Sequence, residues 1–472
     1  MKMTIHKTIK MLGLGVGTLL LGTNLLLAAP PVRPNFLFIY TDDQRWDAMG
    51  VVQQDMGDQA RFPWFKTPNM DRLAREGVRF RNAFVTESLC SPSRAAFLTG
   101  CYNHLNGVHD NFTPFPANAI TYATQLRAAG YDTAYIGKWH MGTQRTRPGF
   151  DYFASFVGQG EYWDCPLLIN GVSTPTPGWV DDAVTDRAIE YLEHLAHHQA
   201  KPFCMVIGFK SPHEPWHPPA RAAHRFAGDQ AKSVPNMKAL AAGIKEAEWN
   251  PNNPKNLDYF RVISAVDDDL GRILDALDEL QLATNTVVVY TSDNGFFRGE
   301  HGLHDKRYLY DEALRIPFIV RYPALIPQPR VCDRIVLNID VCPTFLDLAG
   351  VPIPPAVQGR SFKPLLLDEP PADWRKSFFN EYFIELKYPY VPPQYGIRTE
   401  TAKLIEYPDH PDWTEMFDLA KDPYETRNLY HDPAHRELRA KLEKELAAEK
   451  TATRYRVPPP TPLSVPAPQP KE

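Results

Sequence analysis

Phe36, Leu37, Phe38, Ile39 and Tyr40 follow one another without a polar break. An unbroken apolar run of strand length marks a strand covered on both faces rather than one. Three more runs, at residues 131–136, 203–209 and 286–290, have the same character. Between them lie stretches with helical periodicity. Residues 69–76 and 121–129 are short and are followed by Gly77 and Gly130, each read as a helix-closing C′ glycine. Leu257, Phe260, Ile263, Val266, Leu270, Ile273, Leu274 and Leu277 repeat along one long predicted helix. Further strands are expected at 317–322 and 334–339, and a helix at 341–348. Strand and helix signals alternate, so the predicted fold class is α/β, a large mostly parallel sheet sandwiched by helices. From about residue 372 the pattern changes to short runs at 378–383, 396–398, 403–405 and 416–419, then a charged helix at 434–450. That predicts a smaller C-terminal α+β subdomain built on a short antiparallel sheet. Residues 457–472 are Pro-rich without periodicity and read as a disordered tail.

Titratable residues begin where the apolar runs stop: Asp42 and Asp43 after the first, Lys138 and His140 after the second, Lys210 and His213 after the third, Asp293 and Asn294 after the fourth. In open α/β sheets ligands bind at the carboxyl ends of the strands, so these groups are expected to converge in one cleft. Adjacent carboxylates leaving a buried strand repel each other, and either splay into solvent or are held together by a cation. Asp42, Asp43, Asp293 and Asn294 offer three carboxylates and one amide carbonyl, a donor set that favours Ca2+ over a soft metal. Asp267, Asp268 and Asp269 are expected on a solvated face of the long helix, and the Pro-, Ala- and His-rich residues 214–254 around one rim of the cleft.

A chain of 472 residues with 43% apolar content can bury one large core and a smaller one, which suggests two domains. A net charge of −5 argues against an electrostatic grip on nucleic acid or an acidic membrane. Any polyanionic ligand must then be met by local clusters of cations. Lys2, Lys7 and Lys10 precede an apolar stretch that ends at Ala28 and Ala29, the pattern of an export signal over residues 1–29. An uncleaved anchor is the competing reading, because the stretch approaches the ~18 apolar residues that can span a bilayer. No other segment could cross, so the mature chain is expected to lack a transmembrane domain and to be periplasmic or secreted. The six cysteines are too sparse for a disulfide framework, and a Cys332–Cys342 bridge stays open.

The chain's most demanding stretch is Cys90-Ser91-Pro92-Ser93-Arg94-Ala95-Ala96-Phe97-Leu98-Thr99-Gly100. Ser91 can act as an N-cap, Pro92 suits the first helical position and Gly100 can stop the helix. Cys90 then sits at a helix N-terminus, where free N–H groups and the helix dipole favour anions, with Arg94 one turn on. The same spacing also suits a buried structural cysteine before an ordinary helix.

The stretch resembles the signature of the formylglycine-dependent (type I) sulfatases of the alkaline phosphatase superfamily. The resemblance runs from about residue 34 to 445 and includes the ending at 417–429; Cys101 departs from it, standing where arginine is more usual. It implies a sulfatase catalytic domain at 30–371, the small-sheet subdomain at 372–456, and conversion of Cys90 to formylglycine (3-oxoalanine) by a formylglycine-generating or sulfatase-maturating enzyme. It further implies Ca2+ held by Asp42, Asp43, Asp293, Asn294 and the oxidised residue 90, and a gem-diol nucleophile. In the implied division of roles Arg94 steadies the diol, Lys138 and Lys306 hold sulfate oxygens, His140 assists elimination and His213 protonates the leaving alcohol. Residues 291–322 look most like members acting on sulfated sugars, N-acetylglucosamine-6-sulfate types among them, with His304 and Asn111 as candidate substrate contacts and Trp163 and Trp216 as candidate stacking platforms. Two alternatives remain open: a phosphodiesterase or phosphonate hydrolase of the same superfamily, and a catalytically silent glycan-binding protein.

Overall fold

The computed structural model describes residues 33–142, 145–198, 201–245 and 256–462. The expected export signal, and the tail beyond residue 462, lie outside the described residues. Ten strands make the main sheet: β1 (Asn35–Thr41), β2 (Val78–Phe80), β3 (Asp132–Lys138), β4 (Tyr152–Phe156), β5 (Leu167–Ile169), β6 (Val172–Thr174), β7 (Phe203–Gly208), β8 (Thr286–Ser292), β9 (Phe318–Arg321) and β10 (Arg330–Cys332). Their order is β10-β2-β9-β8-β1-β7-β3-β4-β5-β6. The centre, β8-β1-β7-β3-β4, is parallel. Antiparallel pairings occur toward the edges, where β9 meets β8 and β5 meets β4.

Every residue of β1 is buried. Phe36, Phe38 and Tyr40 point to one face, under α2 (Cys90–Thr99), α3 (Tyr122–Ala128) and α6 (Val341–Leu348). There Phe36 stacks on Phe345 at 4.6 Å and Phe38 meets Phe97 edge-on at 5.0 Å. Leu37 and Ile39 point to the opposite face, under α1 (Pro68–Glu76), α4 (Val180–His198) and α5 (Leu257–Glu279). Full burial of each such side chain contributes roughly 1.5–3 kcal/mol, which is why the central run can be apolar on both faces.

A second sheet, β11 (Ser377–Tyr382), β12 (Gln394–Thr399), β13 (Ala402–Glu406) and β14 (Glu415–Asp418), is antiparallel in sequence order. Helix α7 (Arg436–Ala452) lays Leu442 and Leu446 on it. Phe378, Ile397 and Leu404 belong to the same apolar cluster as Phe84 and Phe97, so the small sheet continues the main core.

Several local expectations are corrected. Gly77 is extended rather than left-handed; it is glycine because a Cβ there would lie 2.2 Å from the Val320 carbonyl oxygen. Residues 334–339 are a strand only at Val336–Leu337, followed by a 3-10 turn at Asn338–Asp340. Asp267 and Asp269 are buried rather than solvated. Asp267 accepts the backbone N–H groups of Met70 (2.7 Å) and Asn69 (3.1 Å), closing the N-terminus of α1, while Asp269 pairs with Arg272 at 3.1 Å. The described part of the 214–254 stretch packs against residues 300–312, with Asn236 donating to Glu312 at 2.6 Å and Ala241 N–H to the His301 carbonyl at 2.9 Å. All six cysteines are free thiols, Cys332 and Cys342 included. Among the described residues no helix is long and apolar enough to cross a membrane.

Candidate active site

Strands β1, β3, β7 and β8 all run the same way, so their carboxyl ends deliver Asp42 and Asp43, Lys138 and His140, His213, and Asp293 and Asn294 to one side of the sheet. Helix α2 meets them from above. Its N-cap is Leu89, in extended conformation, so Cys90 itself is the first helical residue and Ser91 is not the cap. The Ser91 hydroxyl instead donates to the His140 carbonyl at 2.6 Å, and Ser91 N–H donates to Asn111 Oδ1 at 3.0 Å. Asn111 thus supplies from outside the acceptor that a capping side chain would have given. At the other end Gly100 is left-handed, as its position predicted.

Arg94 is fully buried and ties the cluster together. Its Nε and Nη2 donate to Asp293 Oδ2 at 2.9 and 2.7 Å, Nη2 also to Asp42 Oδ2 at 3.0 Å, and Nη1 to the Lys138 carbonyl at 2.6 Å. Lys138 reaches Asp42, and Lys306 reaches Asp43. Lys306 Nζ lies 3.1 Å from Cys90 Sγ, and Cys90 Sγ lies 3.4 Å from Asp42 Oδ1. His213 Nδ1 bonds to the Glu214 carbonyl at 2.6 Å, which leaves Nε2 facing Asp43 Oδ2 at 3.9 Å, beyond hydrogen-bond range.

Burial sets the electrostatics. It works against the charge on Asp42, yet Lys138, His213, Arg94 and Lys306 hold that carboxyl well below the usual range. Burial pushes Asp43 up to about 7 against the pull of Lys306, with Asp42 and Asp293 adding like-charge repulsion. Burial, with Lys138 next, keeps both His140 and His213 well below the usual imidazole value. Burial and the nearby Asp42 push the Cys90 thiol up, so the unmodified side chain is a neutral, weak nucleophile.

The donor set suits a hard cation. Oxygen atoms of Asp42, Asp43 and Asp293 lie within 4.8 Å of one another, and Asn294 Oδ1 is buried with no hydrogen-bond partner. Three buried carboxylates and an orphaned amide oxygen are the environment that Ca2+ relieves.

Among the substrate candidates, His304 Nε2 contacts Glu214 Oε1 at 2.9 Å and the ring lines a cavity beside Lys306. Trp163 is 45% exposed, whereas Trp216 packs edge-on against Tyr259 and donates to the Pro212 carbonyl at 2.6 Å. Cys101 donates to the Ala356 carbonyl at 3.1 Å, away from the carboxylates. One site residue carried no sequence signal. Gln159, in a loop between Gly158 and Gly160, bonds the Lys138 ammonium through its side chain and accepts from Lys210 Nζ at 3.0 Å through its carbonyl. Burial, then Lys138, lowers Lys210 to about 8.

A parallel sheet presenting buried carboxylates, cations and a helix-terminal cysteine on one edge defines an alkaline-phosphatase-like hydrolase, and residues 34–351 match the sulfatase family. The chain belongs to that family and is a sulfuric ester hydrolase. Residues 299–452 match the C-terminal region of N-sulphoglucosamine sulphohydrolase. An N-acetylglucosamine-6-O-sulfatase of Bacteroides thetaiotaomicron is 34% identical over 90% of this chain and 87% of its own length. An ulvan-active sulfatase of Formosa agariphila is 31% identical over 88% of this chain and 82% of its own. A solved structure in complex with its substrate D-glucosamine-2-N,6-O-disulfate superposes with a TM-score of 0.81 at 32% identity, covering 89% of this chain and 98% of that one.

Proposed function

We propose that the chain removes O-sulfate from a sugar or sulfated glycan, N-acetylglucosamine 6-sulfate being the substrate most in keeping with its relatives. The observation that carries the reading is the gathering of Asp42, Asp43, Asp293 and Arg94 around Cys90, with Lys138 and Lys306 on the carboxylates. In this reading Asp42, Asp43, Asp293 and Asn294 would hold Ca2+ together with the oxidised residue 90, and a bound ion would supply positive charge to offset that of the sulfuryl oxygens. Conversion of Cys90 to formylglycine by a maturating enzyme supplies, on hydration, an attacking hydroxyl that the thiol cannot match.

The remaining work falls to ordinary side chains. Lys138 and Lys306 swing from carboxylate to sulfate oxygens as compact point charges. Arg94, already saturated by Asp42, Asp293 and the Lys138 carbonyl, stays in place and fixes the orientation of both carboxylates. The Glu214 carbonyl holds His213 Nδ1, so Nε2 is the nitrogen presented to the leaving oxygen. An arriving sulfate anion favours the protonated ring that burial alone disfavours, so substrate itself loads the acid. His140, whose Nδ1 is buried without a partner, is placed to take the proton freed as sulfate departs. The export signal at 1–29 makes this a periplasmic or secreted enzyme.

The test is sulfate release by protein co-expressed with a formylglycine-generating enzyme, assayed with Ca2+ on N-acetylglucosamine 6-sulfate and, in parallel, on bis(4-nitrophenyl) phosphate. Sugar sulfate should be the better substrate. Cys90→Ser should lower turnover on the order of 10³-fold or more with an unchanged melting temperature. Faster phosphodiester cleavage, or a fully active Cys90→Ser variant, would overturn the assignment.

A further inference from the structure

Asp181 is a fully buried carboxylate outside the cluster around Cys90. It stands in the first turn of α4, where the positive end of the helix dipole favours its charge. The donors it meets come from two consecutive residues just beyond the end of β7. Its Oδ1 accepts the Lys210 N–H at 2.8 Å, and its Oδ2 accepts the Ser211 N–H at 3.1 Å together with the Ser211 hydroxyl. Burying a carboxylate is costly unless such charge-assisted bonds compensate it, so the chain through Lys210 and Ser211 cannot shift without a penalty.

That turn leads directly to His213. The His213 N–H donates to the Lys210 carbonyl at 3.1 Å, which closes the turn, and the His213 carbonyl accepts from the Tyr162 hydroxyl at 2.7 Å. On its other side the Ser211 carbonyl accepts the Asp42 N–H at 3.0 Å. The two neighbours differ in what else secures them. Arg94 and Lys138 both bond the Asp42 carboxylate, so its place does not depend on the turn. The His213 ring rests on one hydrogen bond, to the carbonyl of the next residue, Glu214, so the ring goes where its backbone goes.

We infer that Asp181 is a positioning residue for His213: it sets the backbone turn that aims Nε2 at the leaving oxygen, without itself touching substrate. The inference rests on the acid role given to His213 above and traces that role back to the start of α4. Proton transfer needs donor and acceptor in hydrogen-bond reach, and a displacement of about 1 Å can cost on the order of 10²-fold. Lys138 and Lys306 lie on other elements, so the grip on the sulfate oxygens is independent of Asp181. Loss of Asp181 therefore lowers kcat on esters that need the proton and spares both KM and esters that do not.

The test takes Asp181→Asn and Ser211→Ala, each with His213 present and in the His213→Ala background, and measures the matured, Ca2+-loaded enzyme on N-acetylglucosamine 6-sulfate and on 4-nitrophenyl sulfate. Asparagine keeps the size of the side chain but turns an NH2 group toward an N–H donor. Ser211→Ala removes one hydroxyl and leaves both backbone bonds, so it disturbs the fold least. The sugar-to-aryl ratio of kcat should fall at least about tenfold in Asp181→Asn and about threefold in Ser211→Ala, with KM for the sugar within about twofold of wild type. In the His213→Ala background neither substitution should lower the ratio further. A wild-type ratio in Asp181→Asn, or in Ser211→Ala where the asparagine variant does not fold, overturns the inference, and so does an equal fall with and without His213. Equal losses on the two substrates in His213→Ala alone, or a wild type that cleaves only the aryl ester, would instead sink the reading on which the inference stands.

Discussion

Arg94 carries a full charge at zero exposure, a placement that is costly unless every donor finds a partner. Two carboxylates, the Lys138 carbonyl and the Tyr40 hydroxyl provide those partners, so the side chain is both the counter-charge and the ruler of the site. His213 is different. It is held by one backbone bond and only 18% of its side chain is exposed, so Nε2 can approach a ligand without breaking a protein contact. His213→Ala should therefore cost most where the leaving oxygen needs a proton. We expect a loss on the order of 10²–10⁴-fold in kcat on a sugar sulfate, and a far smaller loss on 4-nitrophenyl sulfate, whose phenolate leaves unaided. Comparing the two substrates in one series of variants checks this; equal losses would assign His213 to binding instead.

The strand ends do the positioning, and β3 demonstrates how tightly. Gly137 sits one residue before Lys138 with a φ of +94°, and a Cβ there would lie 2.0 Å from the carbonyl oxygen of Gly208 on β7. Both strain and overlap oppose any side chain. Gly137→Ala should destabilise the fold by about 2–4 kcal/mol and displace Lys138, measured by urea unfolding and by a parallel drop in kcat. An unchanged unfolding midpoint would mean that the two strands can separate freely. The central strands were legible because residues such as Phe36 to Tyr40 need no alternation when helices cover both faces. Edge strands β5 and β6 span three residues each, too few for any periodicity to register. The same contrast holds in the site. Asp42, Lys138, His213 and Asp293 follow long apolar runs and could be read off the chain, whereas Gln159 reaches Lys138 from a glycine-flanked loop whose path only the folded sheet determines. Ser91 looked like a cap because the helix start was judged from residue type; a partner 20 residues away, Asn111, took that role.

Across the whole molecule the small sheet buttresses the segment that carries Lys306. Glu385 anchors Arg307, Lys403 on β13 donates to the Leu309 carbonyl at 3.0 Å, and Glu415 on β14 accepts from the hydroxyls of Tyr310 and Tyr407 at 2.8 Å. Burial pushes Glu415 up to about 7, with the two tyrosine hydroxyls and Lys403 pulling the other way. This coupling makes stability depend on pH in a definite sense. A carboxyl raised in the folded state lends its full relative stability below the unfolded value, where both states hold the proton. As pH climbs past that value the unfolded chain releases its proton first, and stability drains by about 1.4 kcal/mol per pH unit until the folded group also ionises. From the ordinary glutamate value of 4.5 to about 7 the cumulative loss is about 3 kcal/mol. Glu415→Gln cannot ionise, so relative to wild type it should gain most of that amount between pH 5 and pH 8. Urea unfolding of both proteins at the two pH values measures the difference directly. Equal offsets would mean that Glu415 is already ionised at pH 5, and that its tyrosine partners outweigh burial.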